Sequence, residues 1–156
     1  MNPDTVRKIG SKQLNANTPP FRAIAFDFGL KYIGVAIGQT ITDSARPLAT
    51  LRAQDGTPRW DEIQKLLTTW QPNILVVGVP LNMDGGDQHV THAARQFAKQ
   101  LSTRYHLPVQ MIDERLTTVA AKAEIFATKG YKGLRKEAID SMAAVLILED
   151  WLQSQK

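Results

Sequence analysis

The sequence contains no cysteine, which excludes a disulfide-stapled fold and any metal site built on thiolates. It also lacks a run of about 18 consecutive apolar residues, the length that a membrane-spanning helix needs. Residues 1–20 show no apolar segment of the kind found in a secretory signal peptide. We therefore expect a cytoplasmic protein with no membrane segment, in which residues 1–20 form a flexible polar tail.

The composition is that of an ordinary globular protein, with 43% hydrophobic and 22% charged residues among 156. This length fits one domain, which we expect to span residues 21–156. Lys and Arg number 19 against 15 Asp and Glu, so the net charge is +4 at pH 7. Positive charge favours a polyanionic partner such as nucleic acid, although many basic proteins bind none.

The first half of the chain predicts three strands followed by a helix. Apolar runs at residues 21–26 and 33–38, separated by a glycine-containing turn, indicate a hairpin. A third strand is expected at residues 47–51, with Pro47 at its start because proline rarely lies inside a strand. Helical spacing then begins, opened by Thr57-Pro58 and stopped by Pro72. Its apolar positions are Trp60, Ile63, Leu66, Leu67 and Trp70.

The second half predicts strands that alternate with helices. The apolar run 74–79 indicates a strand covered on both faces, and residues 108–112 form the last strand. A helix capped by Thr117 or Thr118 is expected to run through Phe126. The helix between the two strands has the apolar stripe Val90, Ala93, Ala94, Phe97 and Leu101. The final helix has Ile139, Met142, Ala143 and Leu146 as its apolar positions.

This order of elements predicts an α/β fold. The first three strands are joined by tight turns and are expected to be antiparallel, whereas the later strands are joined through helices and must be parallel. The result is a mixed sheet flanked by helices.

Acidic residues occur where apolar runs end. Asp27 ends the first strand, Asp113 and Glu114 follow the last one, and Asp140 is expected in the first turn of the final helix. Ligands of open α/β sheets bind at the carboxyl ends of strands, so Asp27 and Glu114 share one edge if the first strand runs parallel to the later ones, and a helix packed nearby can bring Asp140 to it. Adjacent strand residues face opposite sides of a sheet, and the pattern leaves the choice between Asp113 and Glu114 open.

Carboxylates that converge on one point repel each other and favour a bound cation. Oxygen ligands suit Mg²⁺ or Mn²⁺, and such ions can activate a water molecule against a phosphodiester. A single acid at a strand end or helix start more often serves a turn or the helix dipole. A metal-dependent nuclease is therefore predicted only if Asp27, Asp140 and one of the pair Asp113 and Glu114 lie close together in the fold.

Basic residues near these acids are candidates for nucleic-acid contacts. Lys31, in the turn after Asp27, is either a phosphate contact or a solvated lysine. Arg115 either binds a phosphate or pairs with an acid such as Asp113. Residues 129–136 form a basic, glycine-containing segment interpreted as a flexible loop. Its candidates for backbone contacts are Lys132, Arg135 and Lys136.

Four segments resemble blocks of the YqgF/RuvX family. Residues 27–36 (DFGLKYIGVA), 113–118 (DERLTT) and 140–144 (DSMAA) resemble its three motifs, and residues 78–85 (GVPLNMDG) resemble a fourth block. The blocks occur in the family's order within residues 21–152. The resemblance implies an RNase H-like fold related to the Holliday-junction resolvase RuvC. It also implies a hydrolase, a nuclease that matures the 5′ end of pre-16S ribosomal RNA.

The resemblance further implies that Asp27, Glu114 and Asp140 form the catalytic site and hold Mg²⁺ or Mn²⁺, with Asp113 as support. RuvC-like resolvases use four carboxylates, and Asp84 and Asp87 are candidates for the fourth. Precursor rRNA is the implied substrate, which makes the ribosome-assembly machinery a partner. The alternatives are a resolvase acting on branched DNA and a non-catalytic RNA-binding module. A phosphotransferase, also opened by Asp-x-Gly and a hairpin, would need a second phosphate-binding hairpin, which the sequence lacks.

Overall fold

A computed structural model describes residues 21–80, 88–114 and 136–156, which form a six-stranded sheet with helices on both faces. The predicted tail 1–20 and the predicted helix through Phe126 lie outside these ranges. The strands are β1 (Arg22–Asp27), β2 (Tyr32–Gln39), β3 (Ser44–Gln54), β4 (Thr57–Pro58), β5 (Ile74–Pro80) and β6 (Val109–Glu114). The helices are α1 (Trp60–Trp70), α2 (Gln88–Tyr105) and α3 (Lys136–Ser154). No helix in this part of the chain has the length and apolar character needed to cross a membrane.

The sheet has the order β4-β3-β2-β1-β5-β6. Strand β1 pairs antiparallel with β2 and parallel with β5, and β5 pairs parallel with β6. The predicted combination of an antiparallel beginning and a parallel remainder is therefore confirmed. Because β1, β5 and β6 point the same way, their carboxyl ends meet at one edge of the sheet.

The two faces of the sheet carry separate apolar cores. Ala23 and Ala25 of β1 face α3, whereas Ile24 and Phe26 face α1 and α2. On the second face the ring of Phe97 lies 5.3 Å from that of Phe26, nearly perpendicular to it. Burial on both faces explains why β1 and β5 read as continuous apolar runs. The small side chains on the first face allow α3 to lie close to the sheet.

Two predicted boundaries near the third strand are wrong. Strand β3 begins at Ser44, so Pro47 lies inside it, beside an irregularity where Val35 pairs with Ala49 and Ala36 with Pro47. Proline is tolerated there because the ladder is already interrupted and β4 reaches only the far end of β3. Thr57-Pro58 forms β4 instead of opening α1, because a turn at Asp55-Gly56 folds it back onto β3.

The last helix begins earlier than predicted. Helix α3 starts at Lys136, so this residue belongs to the helix and Asp140 falls in its second turn. Glu137 and Ala138 are favourable residues for a first helical turn, which accounts for the earlier start. The remainder of the predicted basic loop, residues 129–135, lies outside the described ranges.

A hydrogen bond joins α3 to β6. The indole N–H of the buried Trp151 donates to Oε1 of Gln110 at 2.9 Å. We expect Gln110→Leu to lower the free energy of unfolding by about 1–2 kcal/mol, because the partly buried N–H loses its acceptor. Urea denaturation measures the change, and Gln153→Leu, at an exposed position of α3, is the control. Equal stability of the two variants would show that the bond contributes nothing.

Candidate active site

Asp27 is a buried carboxylate at the carboxyl end of β1, with 6% of its surface exposed. It pairs with Gly34 on β2 and with Gly78 on β5, so neither ladder neighbour has a side chain. A Cβ atom at Gly34 would overlap the backbone of Asp140, and one at Gly78 would overlap the side chain of Ile147. The two glycines therefore let α3 rest directly on the sheet beside Asp27.

Helix α3 positions Asp140 near the carboxyl end of β1. Its backbone lies against Gly34, the residue that pairs with Asp27, and the residue itself is partly buried. Two acids that are distant in sequence thus adjoin the same glycine. The site depends on this contact between the second turn of α3 and the β2 ladder.

Glu114 ends β6 at the same edge, where it pairs with Pro80, two residues beyond Gly78. Side chains alternate between the two faces along a strand, so Glu114 lies on the same face of β6 as Gln110 and Ile112, which contact α3. The exposed Asp113 lies on the opposite face. Two strand spacings, about 10 Å in total, separate β1 from β6. The backbone thus places Glu114, and not Asp113, on the face of Asp27, while the Glu114 side chain lies outside the described part.

The chemistry of these acids fits a hard divalent cation. A carboxylate that is removed from water, as in Asp27, favours a bound cation or a proton. Among the side chains that the structure describes, no three His, Asp or Glu residues form a metal-binding group. Asp27 and Asp140 are the two predicted ligands within that set, and the further candidates Asp84 and Asp87 lie outside it.

Among the predicted phosphate contacts, Lys31 is the one for which the structure describes both the backbone and the side chain. It is exposed in the β1–β2 turn, and its carbonyl accepts a hydrogen bond from the N–H of Ala53 at 2.8 Å. The N–H of Gly56 binds the neighbouring carbonyl of Leu30 at 2.8 Å, so the β3–β4 turn holds this loop in place. Lys136 is described by its backbone alone. The other candidates lie outside the described ranges: Arg115, Lys132 and Arg135.

Comparison with known proteins identifies the family. A family model described as "RuvX: Holliday junction resolvase" matches residues 21–154. The chain belongs to the RuvX family. The resemblance seen in the four sequence blocks is thereby confirmed.

Relatives of this RuvX family member share about half of its residues. A protein of Actinobacillus pleuropneumoniae serotype 5b is 55% identical over 132 residues, which cover 85% of this chain and 96% of the relative. A protein of Coxiella burnetii (strain Dugway) is 55% identical over 136 residues, which cover 86% and 94%. Both bear the name "Putative pre-16S rRNA nuclease".

Solved structures confirm the RNase H-like fold. RuvC of Thermus thermophilus, solved with a Holliday junction substrate, superposes with a TM-score of 0.53 at 13% identity and covers 86% of this chain and 95% of RuvC. The fowlpox virus Holliday junction resolvase gives a TM-score of 0.52 at 17% identity, with 87% and 100% covered. At these identities the likeness is one of fold.

Arg52 is a basic residue of this RuvX family member that the sequence analysis missed. The third strand was predicted to end at Leu51, whereas β3 continues to Gln54 and pairs Arg52 with Tyr32. Arg52 is exposed at the end of the sheet that carries Asp27. The alternation of apolar and polar residues from Leu51 through Gln54 was the signal that would have extended the strand.

The two tryptophans of α1 have a packing role in this RuvX family member, and His89 of α2 contacts the β3–β4 turn. His89 lies 2.9 Å from Asp55 through its Nε2 atom, and His92 is exposed on the same helix. Trp60 and Trp70 pack against the core beneath α1 and α2, which confirms the predicted packing role. The guanidinium carbon of Arg104 lies 4.2 Å from the centre of the Trp60 ring, and that of Arg46 lies 4.8 Å from the centre of the Trp70 ring.

Proposed function

We propose that this protein is a metal-dependent nuclease that hydrolyses phosphodiester bonds in precursor ribosomal RNA. The observation that carries the proposal is the meeting of Asp27 and Asp140 at Gly34, on the sheet edge where β6 ends with Glu114. Relatives that are 55% identical over nearly their full length are named for pre-16S rRNA, which supports the substrate. In this proposal the protein acts on the assembling ribosome in the cytoplasm.

Asp27, Glu114 and Asp140 would hold Mg²⁺ or Mn²⁺ in this proposal. The bound metal supplies Lewis-acid stabilisation of phosphate oxygens and a water of lowered pKa. Asp27 contributes rigidity, because its backbone belongs to ladders on both sides and its buried side chain loses little entropy on binding a ligand. Lys31 stands exposed in the adjoining turn, where its ammonium group attracts a phosphate of the substrate.

Resolution of branched DNA is the second candidate function. The family description names Holliday junction resolvases, and the fold is that of a RuvC solved with a Holliday junction. A carboxylate-bound metal acts on either backbone, because the scissile phosphodiester is the same in RNA and DNA. The choice of substrate must therefore be tested directly.

A side-by-side cleavage assay with Mn²⁺ tests the proposal. We expect the protein to cut a precursor 16S rRNA fragment and to leave a four-way DNA junction intact, with Asp140→Asn inactive on both. Cleavage of the junction alone would replace the proposal with the resolvase function. RNA cleavage that persists in Asp140→Asn, or in the presence of a chelator, would contradict the metal site. Binding of the RNA without any cleavage would indicate an RNA-binding assembly module.

A further inference from the structure

The β3–β4 hairpin and the start of α1 form an open groove of about 500 Å³. Ala53 pairs with Pro58 and Gln54 with Thr57, so Arg52 and Arg59 are the residues that flank the last pair of this short ladder. Both arginines line the groove and are exposed. Among the described residues that line the groove, none is acidic.

The charges of these two arginines are not neutralised within the described part of the chain, where neither forms an ion pair. The acid in the hairpin turn, Asp55, is paired with His89 instead. Asp61 and Glu62, in the first turn of α1, form no ion pair with Arg59. Like charges that line one groove repel each other, and an anion bound between them would offset that cost.

The groove adjoins the candidate active site. Arg52 pairs with Tyr32, which follows Lys31 and precedes Gly34 by two residues. Asp27 pairs with the same Gly34, so Arg52 lies two strands away from Asp27 at the same end of the sheet. Two strand spacings of about 10 Å in total, combined with an offset of two residues or about 7 Å along the strand, give a separation of about 12 Å, which a few nucleotides span. Lys31, Arg52 and Arg59 therefore form a row of positive charge that leads away from Asp27.

We propose that Arg52 and Arg59 bind backbone phosphates of the nucleic-acid strand, a few nucleotides away from the phosphate held at Asp27. The identity of the ligand rests on the proposed nuclease function. Guanidinium groups bind phosphate oxygens through paired hydrogen bonds, and contacts of this type position a strand without reading its sequence. Both RNA and DNA single strands carry the required group.

Fluorescence anisotropy with a labelled single-stranded oligonucleotide, in RNA and DNA forms, tests the groove. The variant Arg52→Gln/Arg59→Gln is compared with Lys65→Gln/Lys99→Gln, which removes the same charge from exposed positions of α1 and α2. Both are built on Asp27→Asn and measured without metal, so that no cleavage occurs. At 0.1 M salt we expect each lost arginine contact to weaken binding about fivefold, and the salt slope of log K to fall by about 0.7 per contact.

The lysine control is expected to keep the parent's affinity and salt slope. Arginine and lysine variants with equal affinities and slopes would overturn the groove assignment. A reduced slope for either the RNA or the DNA form supports it, and thermal unfolding checks that both variants are folded. Because binding is measured without cleavage, the binding test remains valid even if the protein has no nuclease activity. Metal-dependent cleavage by the wild-type protein, together with unchanged binding by the arginine variant, would overturn the groove assignment and leave the nuclease function standing.

Discussion

Asp27→Asn is expected to reduce metal-dependent cleavage by more than about a hundredfold while the protein stays folded. Loss of groups that merely orient a metal ligand costs 10- to 100-fold, so loss of a direct ligand should cost more. Asparagine has nearly the same size as aspartate, and the buried position beside Asp140 then carries less negative charge. Single-turnover cleavage of the precursor RNA, with urea denaturation in parallel, measures both effects.

A matched pair on β6 gives this prediction its control. Glu114→Gln is expected to behave like Asp27→Asn, because its register position lies on the α3 side of the sheet. Asp113→Asn is expected to keep most of the activity, because Asp113 is exposed and occupies the alternate position. Loss of activity in Asp113→Asn with retention in Glu114→Gln would exchange their roles. Full activity in Asp27→Asn would remove the carboxylate site altogether.

Gly34→Ala is expected to impair both stability and cleavage. The added methyl group would meet the backbone of Asp140, which cannot rotate away as a side chain can. Helix α3 must therefore shift, at a cost of about 3 kcal/mol in the free energy of unfolding. The shift moves Asp140 away from Asp27, so cleavage should fall more than the loss of folded protein explains. Urea denaturation and cleavage at saturating metal measure the two effects.

Gly78→Ala is the comparison for this prediction. It lies on the other side of Asp27, but its methyl group would meet the tip of the Ile147 side chain, which can adopt another rotamer. We expect a loss of about 1 kcal/mol and near-normal cleavage. Gly34→Ala and Gly78→Ala with equal effects would mean that the contact between Asp140 and Gly34 does not position the site.

The sequence was sufficient to predict five of the six strands and a sheet that is antiparallel at its beginning and parallel in its later strands, whereas the order of the strands in the sheet, with β1 beside β5, came from the structure. Apolar runs that are continuous in β1 and β5 indicate strands buried on both faces, and the alternation of strands with helices requires parallel pairing. Thr57-Pro58 was misassigned because a proline near a helix start is a local signal. Its pairing with Ala53 and Gln54 depends on the turn at Asp55-Gly56, where both residues have positive φ.

For the candidate site, the sequence identified acids at element ends, and the family motifs selected Glu114 over Asp113. The roles of Asp27, Glu114 and Asp140 remain predictions that the variants above test. Nothing in the sequence indicated that Arg52 and Arg59 line the same groove. That juxtaposition follows from a two-residue strand, which is too short to have a recognisable pattern of its own.

The chain by itself determined which segments become strands and helices and where carboxylates interrupt them, because burial alternates with a period set by the backbone. Only the tertiary structure decided that the backbone of Asp140 lies against Gly34, the residue that pairs with Asp27. That contact requires a helix to approach a strand more closely than any side chain allows, and glycine at position 34 permits the approach. Such a distance between elements depends on packing in three dimensions, which local periodicity does not encode.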